Sequence, residues 1–363
     1  MIKVHFSPDV DKHGIPSSTG FYRSILPARS LRAIGHKAKV DSTIMVNYFD
    51  DLPVSLAEDV DVLVWQRPLH VEDVETMSLP FGGLRVVEAD DDFLHLQDWS
   101  PLLVSYVQQD FVPLDRFKKC LRIADLITVT TPELAELYKD YCPNIKVLPN
   151  HVEVPVWELA MANGQRLKEP GKVSIGWAGW THGYDLDVLM GAIEPVVNWS
   201  PMVNHNLATF TLVGWPEAAK KFSCPVRAYP WMRIDEYRPV VASFDIGLAP
   251  LKNEIFNRGK SWLKVLEYMA CGVVPIASAW HADYSRLIKH GVNGFLARDK
   301  KEWREYIQTL VDDPDLRNQM RTAGRQTAWK YDNETRAGPL WAQAYRCSTA
   351  PQKAGAFLME EVT

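Results

Sequence analysis

The segment NRGKSWLKVLEYMACGVVPIAS, residues 257–278, concentrates residue types that could hold a phosphorylated ligand. Gly259, Lys260 and Ser261 form a loop that runs directly into an amphipathic helix carrying Lys264 and Glu267. A helix start presents unpaired N–H groups and the positive end of its dipole, so these loop residues form a natural seat for a pyrophosphate. Lys264 stands four residues after Lys260 and Glu267 three after Lys264, which puts both cations and the carboxylate on one helical side. Two lysines would neutralise a departing diphosphate, and a carboxylate farther along the helix would accept both hydroxyls of a ribose. The same spacing also describes a solvated helix on which Lys264 and Glu267 pair at the surface.

A likeness separates the two readings. The segment resembles the nucleotide-sugar signature of the family-4-type retaining glycosyltransferases, where a Glu-x7-Glu motif ends in LEAMACGVPVVAS; this chain has LEYMACGVVPIAS. The resemblance implies that Glu267 is the second glutamate, the one that holds the donor ribose. Gly259 stands where the first belongs, a departure that bears on the sugar transferred and on catalysis. The stretches VSIGWAGWTHGYDLDVL and GVNGFLARDKKEWREYIQTLVDDPDLRNQM are similar to the opening strand and the tail of the same domain, so the likeness covers most of 173–331. Residues 1–151 match only in outline.

Other site residues follow from this comparison. The family grips the diphosphate with an Arg and a Lys after the first strand of its second domain, but here that loop is Trp180, Thr181, His182, Gly183 and Tyr184. Lys260 and Lys264 would take over, with Thr181 and His182 as contacts to phosphate or acceptor; a loop histidine is also commonly just solvated. Tyr229 and Pro230 fall where the fold packs the nucleobase, a position equally suited to core. In SSTGFYRSILPARSLRAIGHKAKV, which resembles the family's first loop and helix, Arg23 is expected to reach the diphosphate across the cleft. Gly14 and Gly20 are too loosely spaced for a dinucleotide fingerprint.

The run Asp90, Asp91, Asp92 follows a strand at the end where open α/β sheets bind ligands. Asp91 and Asp92 could orient or deprotonate an acceptor, or the run as a whole could bind a metal as an Asp-x-Asp site or cap a helix at the surface. The resemblance implies a fold that works without metal, so no metal and no cofactor are expected. Pro149-Asn150 resembles the family's hinge.

The elements that must position these groups read as βαβ units. Strands are expected at 2–6, 37–40, 60–65, 84–88, 126–129 and 145–148, then at 173–178, 209–213, 226–228, 246–249, 273–277 and 294–297. Helical period fills the gaps at 20–34, 102–123 in pieces, 132–141, 185–197, 235–243, 261–271, 282–290 and 301–312. The fold class is therefore α/β, with two Rossmann-like doubly wound parallel-sheet domains facing across a cleft, the GT-B arrangement. Domain limits are an acceptor-side domain over 1–155, a linker over 156–171 broken by Gly164, Pro170 and Gly171, and a nucleotide-sugar domain over 172–328. A helix over 329–347 is expected to cross back to the first domain, ahead of a tail over 348–363.

Bulk properties narrow the function. A chain of 363 residues with 47% hydrophobic content suits two domains. A net charge of −5 argues against holding polyanions by bulk electrostatics. Five scattered cysteines without metal or disulfide spacing, and no apolar run of signal or membrane length, make reducing cytoplasm the expected compartment. The sequence reads as a glycosyltransferase moving a hexose-type sugar from a UDP- or GDP-sugar to an acceptor hydroxyl. The acceptor stays open among glycan, lipid-linked glycan, protein and modified DNA base. Rival readings are a nucleotide-sugar epimerase of the same fold and a non-catalytic sugar-nucleotide-binding protein.

Overall fold

A computed structural model describes the chain except residues 11–13, 43–45, 50–51, 57–58, 98–99, 180–182, 199–207 and 349–363; at 46–49, 52–54, 101, 102 and 105 it describes the backbone alone. Thr181, His182 and nearly all of the expected tail lie outside the described residues.

The strands are β1 Lys3–Ser7, β2 Lys37–Val40, β3 Val46–Phe49, β4 Leu52–Leu56, β5 Val62–Gln66, β6 Leu84–Ala89, β7 Leu126–Val129, β8 Ile145–Val147, β9 Val173–Ala178, β10 Ala208–Gly214, β11 Val226–Pro230, β12 Ile246–Ala249, β13 Val274–Ser278 and β14 Phe295–Ala297. Two all-parallel sheets result, ordered β2-β1-β5-β6-β7-β8 and β11-β10-β9-β12-β13-β14, while β3 and β4 form a separate antiparallel hairpin. Strands such as β5, β12 and β13 are apolar up to a terminal Gln66 or Ser278 and buried along their length, as helices on both faces of a parallel sheet require. In each sheet the order reverses beside its first strand, between β1 and β5 and between β9 and β12. Such switch points, at the carboxyl ends of the strands, are where open α/β sheets take ligands.

Helix starts follow local chemistry. Thr131 caps Pro132–Tyr138 by accepting the Leu134 N–H, and Asp299 does the same for Lys300–Asp312. Two segments depart from expectation. The supposed linker holds a helix, Val154–Gln165: Pro155 sits in its first turn, where proline is tolerated, and Gly164 serves contact rather than flexibility. A Cβ at Gly164 would lie 2.6 Å from the Ala242 carbonyl carbon on the helix Ile234–Ala242. Conversely, the helix expected over 185–197 is a 3-10 turn Asp185–Leu189 and a short helix Glu194–Val197, interrupted at Gly191, whose φ of +78° ends the helical run.

The end of the chain returns to the first sheet. Helix Gly338–Ser348 buries Trp341 and Tyr345 in the core that holds Phe6 and Leu31, and Asn333 donates to the Leu26 carbonyl at 3.0 Å.

Candidate functional site

The site lies where the switch point of the second sheet meets the first domain. After β12 the chain makes a 3-10 turn, Phe256–Gly259, and enters the helix Leu263–Ala270. Tyr268 clamps this helix to the sheet: its hydroxyl donates to the Leu248 carbonyl and accepts the Ala178 N–H, both at 3.2 Å. Gly247 leaves room for the Tyr268 ring, since a Cβ there would sit 2.5 Å from it.

With the helix so fixed, Lys264 reaches the end of β9. Its ammonium lies 4.9 Å from the centre of the Trp177 ring, and a Cβ built on Gly179 would be 3.2 Å from it. Among the described residues no hydrogen bond holds that ammonium; Asp185 and Glu267 act on it only through space. Burial, opposed by those carboxylates, pushes its pKa down to about 8. Asp185 is itself committed, accepting the Lys252 N–H at 2.8 Å and the Asn257 amide at 2.9 Å.

Glu267 is 5% exposed and faces the first domain. One carboxylate oxygen accepts the hydroxyl of Tyr22, which comes from the first domain, and the other accepts that of Tyr237 at 2.9 Å. Burial raises its pKa to about 7 against the pull of both hydroxyls and of Lys264.

The rest of the loop is also engaged across the cleft. Lys260 Nζ pairs with Asp91 at 2.7 Å, the Asn150 amide donates to Ser261 Oγ at 2.8 Å, and Thr131 Oγ1 donates to the Gly259 carbonyl at 3.2 Å. Gly259 is a packing requirement: a Cβ there would stand 2.6 Å from Leu134 of the helix Pro132–Tyr138. Lys260, Ser261 and Glu267 are therefore engaged by the first domain, Glu267 also by Tyr237, whereas Lys264 has no hydrogen bond among the described residues.

Not every residue singled out in the sequence joins this group. Arg23 is 2% exposed and buried inside the first domain; it pairs with Glu88 at 2.7 Å and donates to the Leu148 carbonyl at 2.8 Å. A guanidinium spent on a core ion pair does not reach across to a diphosphate, which corrects the expectation for Arg23. Asp91 and Asp92 part ways. Asp91 faces Lys260, whereas Asp92 is 3% exposed and turns back to accept the N–H groups of Leu94 and His95, each at 3.0 Å. Tyr229 is half-buried at the end of β11 against the apolar cluster that includes Leu266, and Pro230 beside it is exposed. Among the described residues no group of three or more His, Cys, Asp or Glu is disposed to hold a metal ion.

The sequence reading missed Tyr22, Tyr237 and His95. Tyr237 sits in the first half of a helix rich in apolar residues, where a tyrosine reads as core, and Tyr22 acquires its role only through a contact 245 residues away.

Residues 173–313 match the glycosyl transferases group 1 family. The matched stretch contains the whole second sheet, from β9 to β14. Solved structures extend the likeness to the first domain as fold. Anabaena HepE in complex with UDP and glucose aligns with a TM-score of 0.66 at 14% identity, covering 96% of this chain and 100% of that one. Sucrose-phosphate synthase from Thermosynechococcus elongatus gives 0.63 at 16% identity over 95% and 98%. WaaG, a glycosyltransferase involved in lipopolysaccharide biosynthesis, gives 0.61 at 14% over 95% and 100%. The chain thus has the GT-B fold. Within a 77-residue segment it is 30% identical to the Dictyostelium discoideum GDP-Man:Man(3)GlcNAc(2)-PP-Dol alpha-1,2-mannosyltransferase, a match spanning 21% of this chain and 14% of that protein.

Proposed function

We propose that the chain transfers a hexose from a UDP- or GDP-sugar to an acceptor hydroxyl, with retention of configuration and without a metal. The observation that carries this reading is Lys264: a half-buried lysine whose ammonium has no hydrogen-bond partner among the described residues, at the sheet's switch point, beside a carboxylate. A buried cation is costly unless paired, so the arrangement suits an anionic ligand that completes it. Phosphate oxygens of the donor meet Lys264, and Lys260 joins them once released from Asp91. Glu267 exchanges the Tyr22 hydroxyl for those of the ribose, and Tyr229 flanks the base. The uridine nucleotide bound by HepE favours UDP, and the GDP-mannose named for the Dictyostelium relative keeps GDP as the second candidate.

In the chemical step the acceptor oxygen attacks the anomeric carbon from the face the leaving group departs. The bond from that carbon to the phosphate oxygen breaks, its electron pair leaves with the diphosphate, and the acceptor proton passes to a phosphate oxygen. The lysines stabilise the charge that develops on the diphosphate, and closure of the two domains excludes water. Thermal denaturation against a panel of UDP- and GDP-sugars tests the donor site: a ligand at 100 times its Kd stabilises by about 2.7 kcal/mol. Product analysis by NMR then tests the transfer; formation of an epimerised nucleotide-sugar instead of a glycoside refutes it.

A further inference from the structure

A cavity of about 450 Å³ opens between the helix Pro132–Tyr138 of the first domain and residues 255–259 of the second. Leu134, Leu137 and Ile255 give it apolar walls, and Gly259 forms its edge next to Lys260, so it borders the phosphate loop on the acceptor-domain side. Its polar lining comprises Glu133, Glu136, Arg258 and a hydrogen-bonded pair in which His95 Nδ1 lies 3.0 Å from Asp92 Oδ2. Because Asp92 also accepts two backbone N–H groups, it is fixed as an acceptor, which puts the His95 proton on Nδ1 and leaves Nε2 free to accept.

The charges around the mouth decide what fits. Glu133 pairs with Arg286 and Glu136 with Lys139, and both carboxylates stay at the cavity beside Asp92. Arg258 adds an exposed cation, and Arg286 and Lys139 offset the two glutamates they pair with. The charges so nearly cancel that none is left over to hold an ionic ligand, and the walls favour apolar surface.

We propose that this cavity is the acceptor subsite and that it takes an uncharged hydroxyl compound with an apolar body, its hydroxyl donating to His95 Nε2. The subsite assignment rests on the transferase reading above, but the cavity's ligand class can be measured without a donor. Calorimetric titration would use 4-nitrophenyl β-glucoside as the uncharged probe and glucose 6-phosphate as the anionic one, with UDP titrated in parallel. Ile255, 47% exposed, can be replaced without threatening the fold. Ile255→Glu is expected to weaken the uncharged probe at least tenfold and His95→Gln at least threefold, with UDP affinity unchanged within twofold. Equal probe affinity in Ile255→Glu and the unaltered chain, tighter binding of glucose 6-phosphate, or no probe binding to the unaltered chain overturns the proposal. A flat UDP titration alongside Ile255-dependent probe binding would sink the donor reading and leave the cavity's ligand class standing.

Discussion

Replacing Lys264 by methionine should move stability and ligand affinity in opposite directions. A lysine that titrates near 8 instead of 10.5 has its charged form penalised in the folded chain by about 3 kcal/mol, at 1.36 kcal/mol per tenfold. Part of the side chain remains open to solvent, which screens that penalty, and the contact over Trp177 returns roughly 0.5–1 kcal/mol. Methionine keeps the length, and its sulfur keeps a favourable approach to the ring. Lys264→Met is therefore expected to stabilise the ligand-free chain by about 1–2 kcal/mol, a rise of several degrees in Tm by scanning calorimetry. UDP affinity should fall by about 2 kcal/mol or more, at least about 30-fold in Kd, because a desolvated phosphate contact is lost. A variant that is less stable and binds UDP as before would refute the assignment of this lysine to an anion.

The other predictions concern the same groups. Burial raises Glu267 to about 7, so the folded chain binds the extra proton between about 4.5 and 7; stability from this group falls as pH rises through that window while its carboxylate becomes available to ribose. Lys264 has the opposite requirement: its penalty is full below about 8 and relieved as pH rises toward 10.5, where phosphate loses its partner. UDP affinity measured across pH should accordingly be greatest near 7–8 and fall on both sides; a flat profile from 5 to 10 would exclude both groups. Tyr22→Phe removes the hydroxyl that occupies Glu267, a hydrogen bond to a charged group worth about 1.5–3 kcal/mol, so UDP should bind roughly tenfold more tightly by calorimetry. Weaker binding would mean that Tyr22 serves the donor rather than competing with it. Restoring a side chain at the family's first glutamate position should be harmful: Gly259→Ala forces Leu134 aside and is expected to cost about 1–3 kcal/mol in denaturant unfolding, and Leu134→Ala in the same chain should recover part of it.

The fold was largely legible because a buried parallel strand is a short β-branched run and each helix carries its own period. All twelve strands of the two large sheets fall within two residues of their expected ends. What failed was local punctuation whose meaning depends on distant partners. Gly164 reads as a breaker until the helix Ile234–Ala242 is seen against it, and Gly191 reads as tolerable within a helix until its φ is known. The candidate site divides the same way. Lys260, Ser261, Lys264 and Glu267 lie in one loop and helix, where spacing alone gathers them. Tyr22, Asn150 and Asp91 arrive from the other domain, and Arg23 was drawn off by Glu88, an acid whose burial no periodicity announces. Gly259 is the instructive departure. Set against the family pattern it looks like a loss, and against Leu134 it is what lets the domains touch.

The most direct measurement is a structure of the chain with UDP bound. The account predicts a phosphate oxygen within about 3.2 Å of Lys264 Nζ, the ribose hydroxyls on the Glu267 carboxylate, and Tyr22 withdrawn from it. A nucleotide bound elsewhere, with Glu267 still held by Tyr22 and Lys264 still unpaired, would contradict it.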